Sequence, residues 1–171
     1  MSGIQTGIPS GKSKYFWGPK LWRSFHLLAE ISDRNDISLI WKNWINLTAE
    51  VMPCEKCRTH LKEYLRTHRI IRVYNPLKIT PAQVRDHMRK ELFDLHNTVN
   101  RNTGKPIFSQ KDYDALYKNK KRDAILSEVH SLIQEVEHEW LKLDHIRLNK
   151  GDYTNWKSTY TLLVTFLVSS L

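Results

Sequence analysis

Ile37, Ile40, Trp44, Leu47 and Val51 are separated by 3, 4, 3 and 4 residues. That spacing puts all five on one side of a helix, whereas a strand would scatter them over both faces. The same period recurs in Leu21, Phe25 and Leu28, in Val84, Met88, Leu92, Leu95 and Val99, and in Ile125, Val129, Leu132, Val136, Trp140 and Leu143. Turn residues are too few for any other class. Six glycines and six prolines in 171 residues cannot supply the turns of a sandwich or barrel, and no G-x-G-x-x-G is present for a dinucleotide loop. The chain is therefore expected to be all-α.

Local signals place the helices. Residues 1–13 show no apolar period and read as a flexible lead, and Pro19 suits the first turn of a helix starting at Gly18. The polar stretch 32–36 ends that helix, and the next must stop before Pro53. A third begins at once, with Cys57, Leu61, Tyr64, Leu65 and His68 on one face, Cys57 inward and Cys54 at the helix mouth. After a loop around Asn75 and Pro76, Thr80-Pro81-Ala82-Gln83 combines a capping box with proline at the first helical position. Gly104 is placed to terminate that fourth helix, and Ser109 and Asp112 can cap a short fifth one carrying Tyr113, Leu116 and Tyr117. A long helix then runs until Asn149-Lys150-Gly151 breaks it. The last twelve residues carry no charge but fall short of the roughly 20 apolar residues that span a bilayer, which favours a packed or partner-binding tail over a membrane anchor.

Chemistry concentrates at Cys54-Glu55-Lys56-Cys57, the only two cysteines. Two thiols spaced by two residues at a helix start can close a small disulfide, and the helix dipole favours a thiolate there. Zinc binding with His60 and His68 is the rival, but His68 lies about 20 Å along the axis from Cys54 at 1.5 Å per residue, too far for one ion. Inert core cysteines are the third reading. A second constellation is His96-Asn97-Thr98-Val99-Asn100 followed by Gly104-Lys105-Pro106. His96 and Asn100 stand one turn apart with Asn97 beside them, a polar rim able to hold a heterocycle, or else an ordinary solvated helix end. Trp22 and His26, also one turn apart, form an aromatic ledge that suits a core as readily as a ligand.

Taken together, Trp17-Gly18-Pro19-Lys20-Leu21-Trp22 with His26, Pro53-Cys54-x-x-Cys57, and His96-Asn97-x-Val99-Asn100 with Gly104-Lys105-Pro106 resemble the Erv/ALR family of FAD-linked sulfhydryl oxidases, and most closely the compact forms of large DNA viruses. The resemblance runs from about Lys14 to Tyr117. It implies a four-helix flavin-binding bundle with a short fifth helix over 14–118, followed by a C-terminal helical extension, 119–171. It further implies FAD held by Gly18, Trp22, His26, His96, Asn97, Val99, Asn100, Lys105 and Tyr117, a catalytic pair Cys54 and Cys57, no metal, and a homodimer. Cellular members carry a shuttle cysteine pair and a structural disulfide as well. Phe93 and Gln110 stand near the positions of the latter here, Pro19 replaces a common arginine and Thr103 a common leucine.

The function implied is disulfide formation in thiol-containing substrate proteins, with electrons passing through FAD to dioxygen and hydrogen peroxide released. The alternative is a basic helical module that binds nucleic acid or protein, with a structural or zinc-binding CxxC. A net charge of +9 and the run Lys118-Asn119-Lys120-Lys121-Arg122 suit it, but no aromatic residue interleaves the run, so a solvated helix start is favoured over nucleic-acid contact. Met1 to Lys14 contains no apolar segment of the kind a secretory signal needs, so the expected location is cytoplasmic, in a host cell or virion if viral.

Overall fold

The structure is a computed structural model that describes residues 10–68 and 77–169, with side chains described from Phe16 onward. Among these residues eight helices follow in order: α1 Ser10–Glu30, α2 Ser38–Val51, α3 Glu55–Thr67, α4 Pro81–Asn102, α5 Gln110–Tyr117, α6 Arg122–Trp140, α7 Asp144–Leu148 and α8 Lys150–Val168. No strand occurs among the described residues. The capping signals act where they stand in the sequence. The Thr80 hydroxyl accepts from the Gln83 N–H while the Gln83 side chain accepts from the Thr80 N–H, and Ser109 caps α5 through the Asp112 N–H. Gly104, at φ 67°, makes the left-handed turn that closes α4.

Three expectations need correction. The first helix starts at Ser10, not Gly18, so residues 10–13 of the expected lead are helical; residues 1–9 lie outside the described residues. Pro19 sits inside α1, where it removes one backbone hydrogen bond. The turn before it is anchored by Trp17, which is buried and meets Trp140 of α6 edge-on at 5.4 Å, so long-range packing outweighs the local stop signal. The long helix ends at Trp140, because Leu143 N–H turns back onto the Trp140 carbonyl at 2.9 Å, and Ile133 rather than Leu132 occupies the buried stripe. Asn149-Lys150-Gly151 then opens α8 instead of ending a helix. The expected loop around Asn75 and Pro76 lies outside the described residues.

α6 packs along α1, and α8 along α2. Aromatic rings join them: Trp140 lies 5.1 Å from Trp156, Trp156 lies 6.1 Å from Trp44, and Trp44 meets Phe25 edge-on at 5.0 Å. All four are buried. At about 200 Å² and 25 cal/mol per Å², each buried tryptophan contributes roughly 5 kcal/mol before conformational entropy is counted. Two indole N–H groups find partners, Trp41 on the Ser32 hydroxyl at 2.8 Å and Trp156 on the Thr48 hydroxyl at 2.9 Å. The end of α8 is clamped from outside: Arg122 donates to the Leu167 and Ile31 carbonyls and to both oxygens of Asp33, and Arg34 donates to the Phe166 carbonyl. The segment that follows Lys118 thus shares one core with the segment before it, since Trp140, Trp156, Leu163 and Leu167 belong to the same buried cluster as Phe25, Trp41 and Trp44. Among the described residues no helix is long and apolar enough to cross a membrane.

Candidate active site

Pro53 separates α2 from α3, and the extended backbone of Cys54 makes it the N-cap of α3. Its sulfur accepts the Cys57 N–H at 3.2 Å, and the two sulfurs are joined as a disulfide. Both cysteines are half-buried against the core. The helix N-terminus therefore points its free N–H groups at this pair, the setting that stabilises a thiolate once the bond is opened. Arg58, one turn on from Cys54, donates to the Met52 carbonyl at 2.7 Å, which ties the cysteine turn to the end of α2 and brings a cation near it. Tyr64, two turns past Cys57, meets the Thr98 hydroxyl of α4, so the cysteine-bearing face of α3 leads towards the His96–Asn100 segment.

That segment closes an aromatic box. Trp22 stacks on His96 with centroids 4.3 Å apart and planes within 6°. His96 Nδ1 and His26 Nε2 share a hydrogen bond of 2.9 Å, and the His26 ring is surrounded by Tyr117 at 5.1 Å, Tyr113 edge-on at 5.3 Å and Phe108 at 5.8 Å. Burial, followed by the neighbouring His96, pushes the His26 pKa down to about 3; burial, followed by the charge of Lys105, lowers His96 to about 4. Both imidazoles are thus neutral near pH 7. Asn97 uses both ends of its amide on the chain itself, donating to the Phe108 carbonyl at 2.9 Å and accepting the Phe108 N–H at 2.8 Å. Asn100 is buried, and its carbonyl accepts the Lys105 N–H at 2.8 Å, which folds the Gly104 turn back over the end of α4. Gly18 lies one turn before Trp22 with open space above its Cα, and Val99 is half-buried.

The structure therefore brings Trp22, His26 and His96 into mutual contact, sets Tyr117 against His26, makes Asn97 and Asn100 clasps on the loop that carries Lys105, and leaves Gly18 and Val99 at the margin. Sequence reasoning missed Phe108 and the wall formed by Tyr113. The signal for Tyr113 was present, since it stands one turn before Tyr117, but nothing local marks Phe108, whose ring is held against His26 and His96 by its backbone link to Asn97.

The profile of the Erv1 / Alr family matches residues 19–121, more than half of the chain and every site residue just described except Gly18. The chain belongs to the Erv1 / Alr family. It is 33% identical over 108 residues to a FAD-linked sulfhydryl oxidase of African swine fever virus, from a Kenyan pig isolate, which covers 59% of this chain and 79% of that protein. The same identity and coverage hold for the corresponding oxidase of a Namibian warthog isolate. A third relative, an Invertebrate iridescent virus 6 protein whose name assigns it the same activity, is 25% identical over 99 residues, 56% of this chain and 86% of its own. No solved structure matches. The residues present fit a flavin dinucleotide. Flat aromatic rings line the box, Lys105 stands near enough to act on His96, and His26 Nδ1 is buried with no hydrogen-bond partner, the kind of polar atom a heteroaromatic ligand satisfies.

Proposed function

We propose that this Erv1 / Alr protein is a FAD-dependent thiol oxidase that forms disulfides in substrate proteins through Cys54 and Cys57. The observation that carries the reading is the Cys54–Cys57 disulfide at the mouth of α3. A substrate thiolate attacks the Cys54 sulfur, forming a mixed disulfide, and the electron pair of the broken bond stays on the Cys57 sulfur. The N-terminus of α3 stabilises that thiolate. The second substrate thiol then attacks the mixed disulfide, which releases oxidised substrate and leaves the protein as a dithiol. FAD, when bound, would supply the two-electron acceptor for this dithiol and its own reoxidation by dioxygen to hydrogen peroxide. Gly18, Trp22, His26, His96, Asn97, Val99, Asn100, Lys105 and Tyr117 would hold it, the neutral histidines by stacking and hydrogen bonding, the asparagines by fixing the 104–108 turn.

Substrate proteins reach Cys54 directly, because the chain has no further cysteines to relay electrons. The resemblance alone supports a homodimer, which a mass measurement in solution tests. The viral relatives support action in the cytoplasm of a host cell or in a virion. The nucleic-acid reading loses its main support, since Lys118 pairs with Asp114, Lys120 with Glu128 and Arg122 with Asp33. The test is direct. Purified protein is expected to be yellow with one FAD per chain and to consume dioxygen with a dithiol substrate, and Cys54→Ser or Cys57→Ser is expected to abolish consumption with FAD retained. Full turnover in either variant refutes the mechanism, and colourless protein refutes the cofactor.

A further inference from the structure

The family match ends at residue 121, one position before α6 begins, yet α6 reaches back to the aromatic box. Glu128, in the second turn of α6, forms an ion pair with Arg23 of α1 and a second with Lys120 at 3.2 Å. Arg23 follows Trp22 in sequence. Its guanidinium carbon lies 5.8 Å from the centroid of Tyr117, within cation–π range, and Tyr117 in turn touches His26. A chain of contacts therefore runs Glu128, Arg23, Tyr117, His26, from a helix outside the matched segment into the centre of the box.

We propose that Glu128 is a positioning residue for the cofactor site: it holds Arg23 against Tyr117, and so makes FAD retention depend on α6. The inference rests on the reading that Tyr117 contacts the cofactor. Arginine has a long side chain with several rotamers, and this one is about one-third exposed, so without an anion to pair with it turns to water. Glu128 removes that freedom. Burial raises the Tyr117 hydroxyl pKa, while Arg23 lowers it and Glu128 raises it, which places the three groups within one another's field. The same helix pair supplies a built-in control, because Lys20 and Glu135 form another ion pair between α1 and α6.

The experiment uses the FAD-loaded protein and follows flavin release by the rise in fluorescence on dilution. Glu128→Gln is expected to weaken FAD binding about fivefold, a cation–π contact of this exposure being small, with dithiol turnover restored at saturating FAD. Arg23→Ala is expected to weaken it to a similar extent, and the double variant no further. Glu135→Gln, which breaks the neighbouring pair, is expected to leave FAD affinity unchanged. Unaltered FAD binding in Glu128→Gln overturns the proposal, as does an equal loss in Glu128→Gln and Glu135→Gln, which would mark a general α1–α6 effect. Tyr117→Ala separates the two levels. Weakened FAD there with Glu128→Gln unaffected sinks only the positioning role, whereas unaltered FAD in Tyr117→Ala sinks the Tyr117 reading and the proposal with it.

Discussion

Replacing Arg89 by alanine isolates a buried carboxylate. The Glu30 side chain, at the end of α1, is only 4% exposed and receives three donors: Arg89 Nε at 2.8 Å, a second Arg89 nitrogen, and the Tyr113 hydroxyl at 2.6 Å. In Arg89→Ala one donor of the three remains and the charge stays buried. Breaking one side of a buried pair typically costs about 3–5 kcal/mol, and because the Arg89 side chain is 25% exposed, water can enter and the lower end applies. At roughly 2–4 °C per kcal/mol for a chain of this size, the midpoint should fall by about 6–12 °C. Glu30→Leu with Arg89→Met should recover part of that loss, since removing both charges leaves only the neutral Tyr113 hydroxyl without its partner. Thermal unfolding of the FAD-loaded variants, followed by circular dichroism at fixed protein and flavin concentration, measures both. A midpoint for Arg89→Ala within about 2 °C of the parent, roughly what ~1 kcal/mol or less would produce, refutes the assignment of Glu30 as a charge that depends on its partner.

Thr48→Val keeps the shape of a buried side chain but strips the acceptor from Trp156 Nε1, and should cost about 1–3 kcal/mol in urea unfolding; no change would mean the indole finds another partner. The histidine pair gives a pH test. Folded His26 and His96 stay neutral down to about 3 and 4, whereas in the unfolded chain they protonate near 6.5, so the stability they contribute is complete above pH 6.5 and lost as pH falls towards 4. At pH 5 the loss relative to pH 8 is about 2 kcal/mol for each histidine, and a variant lacking His96 should show a shallower pH dependence than the parent. Equal slopes in the two proteins would refute buried neutral imidazoles.

How much of the fold and site was legible depended on the range of each interaction. The Thr80 capping box, the Cys54 helix mouth and the Gly104 turn act within four residues, and the sequence displays all three. The start of α1 was not legible, because Pro19 reads as a first-turn residue until Trp17 is known to meet Trp140 from a distant part of the chain. Gly151 misled in the opposite sense: it reads as a helix end, but a first-turn glycine is tolerated when Trp156 and Tyr160 bury the turns that follow. In the site, Trp22, His26, His96 and Tyr117 were named from motif alone. Glu30 with Arg89, and Arg23 with Glu128, were not, since nothing local distinguishes a charge that will find a partner 59 or 105 residues away from one that faces water.

The interlocked tryptophans also impose an order of events during synthesis. Trp41 and Trp44 of α2 are completely buried, and the side chains lying over Trp44 include Trp156 and Tyr160 of α8. α2 leaves the ribosome about a hundred residues before α8, several seconds at ~5–20 residues per second. Throughout that interval the segment carrying Cys54 and Cys57 is already made, but the side of Trp44 that α8 will cover is bare. The nascent chain is consequently at its stickiest just when its thiols are least sheltered. Only after α8 settles onto α2 is Trp44 covered from that side, so the core on which α2 and α3 rest is completed late in the protein's own biogenesis.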